Sequence, residues 1–300
     1  MSAAVLIHLV RERIAWRPQP RVPEPDLVME SVAQATSFSQ AGDTGGVLAF
    51  LYLYNTLQVT TVLRPGDRVL DLACGPANQL AQIAGFNPEV HFVGLDASPT
   101  MLECAQNTLA RANIDNVELR HGDMTHLVGL EDGSMDCVIS TMSLHHLQDQ
   151  MALCATVREV RRVLKPQGRV YMVDFGRLKR QSTQRFFADD LGQSAQFTED
   201  YFNSLRAAFS VEELSAAVAP LGSDVRRHVT VLAPFLIVFR SAFQRPIDAK
   251  TLQRAKAAFA KLPPALQDNF RNIARWFQIS GYAFPCDVGE NSSSLEARRE

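Results

Sequence analysis

The chain reads as an α/β protein built on a doubly wound, mostly parallel sheet, and three features of the sequence predict it. Val69, Leu70 and Leu72 make a short apolar strand that turns through small residues, Ala73, Gly75 and Ala77, straight into a helical pattern from Asn78. Further apolar strands alternate with stretches of helical period as far as Phe175, the order expected of parallel strands joined by crossover helices. Carboxylates, Asp71, Asp96 and Asp123, stand at or near the ends of the first three strands, where open α/β sheets bind ligands.

Residues 1–65 lie outside the predicted sheet. The apolar run 3–10, followed by Arg11 and Arg13, reverses the charge order of a signal peptide and predicts a short amphipathic helix. Pro18, Pro20, Pro23 and Pro25 exclude helix over 17–26 and predict an extended run across the surface. Helices are predicted over 30–39 and 47–63, with Gly42, Gly45 and Gly46 between them. Phe50, Tyr52 and Tyr54 give the second an aromatic face, which either closes over a ligand or packs into the core. Arg64-Pro65-Gly66-Asp67 is the turn that launches the first strand.

The second strand, 91–95, ends at Asp96, after which Ser98 caps and Pro99 opens a helix reaching about Arg111. Residues 116–120 form the third strand and lead to Gly122-Asp123-Met124. The fourth strand, 135–141, should be central; after it a helix over 150–164 turns Val157, Val160, Val163 and Leu164 inward and leaves Arg158, Arg161 and Arg162 in solvent. Lys165-Pro166-Gln167-Gly168 turns into the fifth strand, 169–175. Residues 176–222 form a mostly helical insertion rich in aromatic side chains, with a capping box from Ser210 to Glu213. Strands at 225–232 and 235–239 complete a seven-stranded sheet with an antiparallel pair.

Helices at 249–261 and 264–282, separated at Pro263-Pro264, and a polar tail at 291–300 close the chain. The predicted organisation is an N-terminal helical lid or cap (1–65), a core (66–242) carrying the insertion at 176–222, and a C-terminal helical extension (243–300). That extension closes the pocket, pairs two protomers or covers a sheet edge.

Composition narrows the function. A length of 300 residues suits one large α/β domain with additions, and 46% hydrophobic with 21% charged residues excludes disordered and fibrous classes. A net charge of -2 argues against a nucleic-acid partner, because phosphate contacts need a basic surplus, and leaves a small molecule as the expected ligand. No apolar run reaches the length of a membrane span, so no membrane partner is expected. The five cysteines show neither a CxxC pair nor a metal-like spacing with histidine; they read as thiols of a reducing cytoplasm, with no metal site. The expected assembly is a monomer or homodimer.

The first turn leaves free backbone N–H groups and a positive helix end beside whatever binds there. Asp71 at that point repels a pyrophosphate but suits a ligand carrying positive charge, such as S-adenosylmethionine with its ammonium and sulfonium. Asp96, at the tip of the second strand, can accept both hydroxyl protons of a ribose. Asp123 can accept from the amino group of adenine while Met124 packs its ring. The rival ligand, a nicotinamide dinucleotide, calls for three glycines in the turn and no acid just before it; here Asn78 replaces the third glycine and Asp71 precedes Ala73.

Taken together, Val69-Leu-Asp-Leu-Ala-Cys-Gly-Pro-Ala77, Val93-Gly-Leu-Asp96, Gly122-Asp123-Met124, Asp136-Cys-Val-Ile-Ser140 with Leu144-His-His-Leu147, and Val163-Leu-Lys-Pro-Gln-Gly168 resemble the class I S-adenosylmethionine-dependent methyltransferases that act on small molecules. The resemblance covers roughly 65–239 and departs at Ala73 and Ala77, where that family usually has glycine. It implies a Rossmann-like methyltransferase fold and S-adenosylmethionine as cofactor. By it Asp71, Ala73 and Gly75 border the methionine end, Asp96 the ribose, Asp123 and Met124 the adenine, and Ser140 and Thr141 the front of the sulfonium, with Asn78, Ala97 and Met101 completing the cofactor set.

The implied reaction moves a methyl group to an oxygen, nitrogen or sulfur of a small acceptor by in-line displacement in an enclosed pocket. If the acceptor is protic a base is useful, and His145 or His146 stands where one is needed. Being adjacent, the two cannot both face the acceptor, and the plain structural alternative is that one packs under the cofactor while the other caps the next helix. Two other readings are a cofactor-binding scaffold without turnover and a protein or RNA methyltransferase; the latter favours an Asn-Pro-Pro-Tyr-like motif after the fourth strand, and Ser140-Thr-Met-Ser143 is not one.

Overall fold

A computed structural model of the chain describes residues 3–43, 45–189 and 193–288. Its centre is a seven-stranded sheet of β1 (Arg68–Leu72), β2 (His91–Asp96), β3 (Val117–His121), β4 (Met135–Thr141), β5 (Leu164–Phe175), β6 (Val225–Val229) and β7 (Leu236–Ser241), in the order β3-β2-β1-β4-β5-β7-β6. The first five strands are parallel, and β7 runs antiparallel between β5 and β6. The strand order reverses between β1 and β4, which opens a crevice above their carboxyl ends.

The alternation of side chains along each strand divides the core in two. Val69, Cys137, Ile139, Tyr171 and Val173 face one layer, whose helices are α3 (Ala49–Val62), α4 (Asn78–Phe86), α5 (Pro99–Arg111), α10 (Ala249–Lys261) and α11 (Pro264–Ile279). Leu70, Leu72, Val138, Val170 and Met172 face the other, built on α6 (Gln150–Val163) and α9 (Val211–Val218). The inner strands are apolar on both faces because helices cover both. The capping box is present at the start of α9, where the Ser210 side chain accepts from Glu213 N and the Glu213 side chain accepts from Ser210 N.

Most boundaries follow the sequence reading, and the exceptions have local causes. The strand pairing of β5 begins at Leu164, with Gln167 at a φ of 64° inside the expected turn, so α6 ends one residue early at Val163. The polar tail at 291–300 lies outside the described residues.

Ahead of the sheet come α1 (Ala3–Ile14), an extended strap over 15–31, and α2 (Val32–Ala41). The aromatic helix α3 is buried nearly all round, and two of its amide oxygens find partners: Tyr171 Oη donates to Asn55 Oδ1 and Tyr282 Oη to Gln58 Oε1, while Asn55 Nδ2 is buried without one. Its outer side is covered by α10 and α11, which bring Phe270 and Phe277 against Tyr54. No described residue of the C-terminal extension reaches the crevice. Within the insertion, α7 (Gln181–Asp189) and α8 (Ala195–Ala207) pack together, and α8 forms one crevice wall.

Candidate active site

Above the carboxyl ends of β1, β2 and β4 lies a cavity of about 490 Å³, walled also by the strap, α3 and α8. Of the residues singled out in the sequence, Ala73, Gly75, Asn78, Asp96, Ala97, Met101, Asp123, Met124, Thr141, His145 and His146 line it. Asp71 and Ser140 stand a layer behind the wall, both buried. The Ser140 hydroxyl lies 2.7 Å from that of Ser143, which does line the cavity.

One end of the cavity is made by backbone. Ala73, Gly75 and Ala77 all take left-handed conformations, with φ of 54°, 54° and 57°, so the chain coils tightly from β1 into α4. Glycine meets that geometry freely; for the two alanines it carries a cost of roughly 1 kcal/mol or more each. Asp96 ties the turn to the second strand: Oδ2 accepts from Gly75 N at 2.7 Å and Oδ1 from Ser98 N at 2.9 Å. Each oxygen keeps a lone pair for a ligand hydroxyl. Asp123 Oδ1 accepts from Thr125 N, an Asx-turn that holds the carboxylate at the rim.

The electrostatics of this end suit a cation. Burial, and then the neighbouring Asp96, push the Asp71 carboxyl well above its ordinary range, and burial raises Asp96 as well. Asp71 Oδ1 and Gln79 Oε1 are buried acceptors without a partner, and Gln79 is on the cavity wall. A ligand ammonium would satisfy acceptors of this kind, whereas a pyrophosphate would not. S-adenosylmethionine, whose charges are positive apart from one carboxylate, therefore fits the residues present.

The other end is made by side chains drawn from distant parts of the chain. His145, buried in the short helical turn after β4, donates its backbone N–H to Asp174 Oδ2 at 3.0 Å, and its Nδ1 lies 2.6 Å from Asp174 Oδ1. Its Nε2 is 3.7 Å from Glu24 Oε1. Glu24 reaches His146 Nδ1 at 2.7 Å through Oε2 and accepts from the Ser204 hydroxyl at 2.6 Å through Oε1. Burial opposes the His145 imidazolium, but Asp174 and then Glu24 outweigh it and hold the His145 pKa above its ordinary value. Burial likewise opposes the Glu24 carboxylate, yet His146, His145 and Ser204 bring its pKa down to about 2. Glu24, His145 and His146 are the one group among the described residues whose three donor atoms lie within 4.8 Å of one another. Their closest pair is at hydrogen-bond length, so we describe them as a hydrogen-bonded cluster.

The strap is held in place by Arg21. Its guanidinium donates to the carbonyls of His145, Leu147, Gln148 and Ala207 and stacks on Phe209, 4.0 Å from the ring centre. Further along, Met29 O accepts from the Ser98 hydroxyl, and Leu27, Val28 and Met29 lie on the cavity wall. The rest of this end is apolar and aromatic, with Phe38, Leu48, Tyr52, Phe175, Phe197 and Tyr201.

Arg21, Glu24, Asp174 and Ser204 are not identified by the sequence reading. Asp174 had a signal of the kind used for Asp71 and Asp96, an acid near the tip of a strand. Glu24 had none, since it sits between Pro23 and Pro25 far from any strand.

Residues 63–210 match a methyltransferase-domain family. Over 113 residues the chain is 36% identical to the demethylmenaquinone methyltransferase of Listeria monocytogenes serotype 4a, covering 37% of this chain and 46% of that protein. Over 114 residues it is 34% identical to the 27-O-demethylrifamycin SV methyltransferase of Amycolatopsis mediterranei, covering 38% of this chain and 40% of that protein. The chain thus spans less than half the length of the curated relatives it matches. A crystal structure of a SAM-dependent methyltransferase from Aquifex aeolicus shares the fold, with a TM-score of 0.52 at 17% identity over 70% of this chain and 97% of that one.

Proposed function

Because residues 63–210 of this chain are a class I S-adenosylmethionine-dependent methyltransferase domain, we propose that the protein transfers the cofactor's methyl group to a hydroxyl of an apolar small molecule held in the same cavity. The observation that carries this reading is His145, buried on the cavity wall with Nδ1 2.6 Å from Asp174 Oδ1, a pairing that, with the proton on Nδ1, leaves Nε2 to accept one. A hydroxyl acceptor needs a base to take its proton, and a histidine oriented by a carboxylate is suited to the task. The name of one relative, 27-O-demethylrifamycin SV methyltransferase, describes a transfer to oxygen and supports the same choice.

The bound cofactor supplies a methyl group already activated by its sulfonium. The chain's contribution is arrangement and the handling of one proton. The turn 73–78, Asp96 and the wall acceptor Gln79 would hold the cofactor, with the Asp71 carboxyl a layer behind them. The apolar and aromatic wall holds the acceptor there and keeps water away. Asp174 fixes the proton on His145 Nδ1, so that Nε2 can take the proton that the acceptor hydroxyl gives up when it is methylated. That proton brings one positive charge to the imidazole. Asp174 and Glu24, one on each side of that ring, stabilise it there.

The test is a labelled-methyl assay on one apolar aromatic scaffold offered with a hydroxyl, an amine or a thiol. Label is expected in the ether. Label in the amine or thiol with none in the ether overturns the assignment of the acceptor, and no label in any product, with cofactor bound, favours a scaffold without turnover.

A further inference from the structure

The helix α1 presents two different faces. One docks onto α7: Glu12 accepts from the backbone N–H groups of Lys179 and Arg180, His8 stacks on Phe186 at 4.2 Å, and Leu9 is buried. At 3.6 residues per turn the opposite side gathers Leu6, Ile7, Val10 and Ile14 into a strip roughly 100° wide. All four are exposed, Ile14 by 70%, and Trp16 just past the helix is 93% exposed. Arg13 borders the strip on one side and Arg11 on the other, Arg17 follows Trp16, and all three are exposed. The single carboxylate of the helix, Glu12, is buried on the docked side. An apolar strip edged by arginines and ended by a tryptophan is the pattern of a helix that lies on a membrane surface.

We propose that this face of α1 docks on an anionic lipid surface, with Leu6, Ile7, Val10, Ile14 and Trp16 in the interface and Arg11, Arg13 and Arg17 at the headgroups. Charge selects this occupant, since the border is cationic and faces no acid of its own helix. Two copies of the strip brought together would place arginines against arginines. Area points the same way: twelve residues of helix make a strip roughly 18 Å long and about 10 Å wide, far below the ~800 Å² per partner that a stable protein interface buries. A lipid surface has no such threshold, because it takes up each apolar side chain separately. No helix among the described residues is long and apolar enough to cross a membrane, so the contact is peripheral. It departs from the expectation, drawn from the lack of an apolar run long enough to span a membrane, that no membrane is involved. From Trp16 the strap runs on to Leu27, Val28 and Met29 at the cavity, which places the docking face at the start of the segment that walls the acceptor side.

The chain has two tryptophans, and Trp276 is buried, so a change in tryptophan emission on adding lipid reports Trp16. The whole protein is mixed with phosphatidylcholine vesicles with and without phosphatidylserine and followed by co-sedimentation and emission. Binding and a blue shift are expected with phosphatidylserine only, falling as salt rises. Ile7→Glu with Ile14→Glu, at exposed positions, should lower the bound fraction at least tenfold with unchanged thermal unfolding, and Arg13→Gln by roughly fivefold. Failure to sediment, equal binding to both vesicles, or sedimentation without a Trp16 response overturns the proposal. So does a dimer in solution that becomes a monomer with Ile14→Glu, which would make a second copy of the chain the occupant.

Discussion

At the end of the cavity proposed to hold the cofactor, one contiguous turn and the tips of adjoining strands line the wall, and the key contacts run through backbone N–H to Asp96. At the end proposed for the acceptor, Glu24, His145, Asp174 and Ser204 come from the strap, the loop after β4, the end of β5 and α8, and meet chiefly through side chains, joined by the His145 backbone N–H on Asp174. The first arrangement is fixed as soon as β1 and β2 pair and α4 packs. The second requires the strap to cross the finished core and be fastened there by Arg21. A site of this kind can keep its cofactor chemistry constant while the acceptor side is rebuilt from outside the sheet, which is how one fold serves many acceptors.

The comparison predicts that the two ends fail separately. Replacing His145 with alanine should lower kcat by roughly 10² to 10⁴-fold, the usual contribution of a positioned base, with cofactor affinity by calorimetry unchanged. Loss of cofactor binding in that variant would merge the two ends into one structural unit. A kcat that does not move would show that the acceptor needs no base.

Asp96→Ala tests the other end and should weaken cofactor binding by roughly 10 to 100-fold, since two ligand hydroxyls lose an acceptor at about 1 kcal/mol or more each. At saturating cofactor its kcat should stay close to that of the parent. An unchanged dissociation constant would mean that the ribose lies elsewhere.

A smaller effect isolates the strap. Asp174, Glu24, His146 and Arg21 surround the His145 ring, and of these Asp174 and Glu24 raise its pKa. The raised pKa keeps the ring protonated, and so inactive as a base, to a higher pH than an ordinary histidine at 6.5. Activity should therefore climb as pH rises through that pKa. Glu24→Gln removes one source of the increase, so the acid limb of kcat should move to lower pH while the cofactor dissociation constant holds. Movement to higher pH would show that Glu24 acts on the ring in some other way. The same groups set the stability of the closed strap. Glu24 contributes above its ordinary 4.5 and loses that contribution as pH falls toward about 2, whereas protonated His145 contributes below 6.5 and loses it as pH rises through its raised pKa.

Much of the cofactor end was legible because its signals are local. The β1 turn, Asp96 with its Ser98 cap, and the alternating apolar strands each declare themselves within about ten residues, and their arrangement follows from general rules of parallel sheets. Asp71 and Ser140, expected at the methionine end and at the front of the sulfonium, stand behind the cavity wall, because strand position alone does not say which way a side chain turns at the tip. Glu24 and Arg21 were out of reach for a different reason. Their partners lie more than a hundred residues away, and proline spacing says only that the strap is extended, not where it crosses.

The least of the expected effects concerns the turn itself. Ala73 stands where the resemblance leads one to expect glycine, yet it holds a φ of 54°, so the backbone has kept a glycine's conformation around a side chain that resists it. Ala73→Gly should relieve roughly 1–2 kcal/mol of that strain in the folded state. Against it stands the greater freedom of glycine in the unfolded chain, roughly 0.5–1 kcal/mol. The net gain should therefore lie between about 0 and 1.5 kcal/mol, read as a higher denaturant midpoint with an unchanged slope. A clear loss of stability would mean that the methyl group packs in the wall of the turn. In that case alanine was retained for its contacts, and the cofactor end depends on side chains more than its backbone hydrogen bonds suggest.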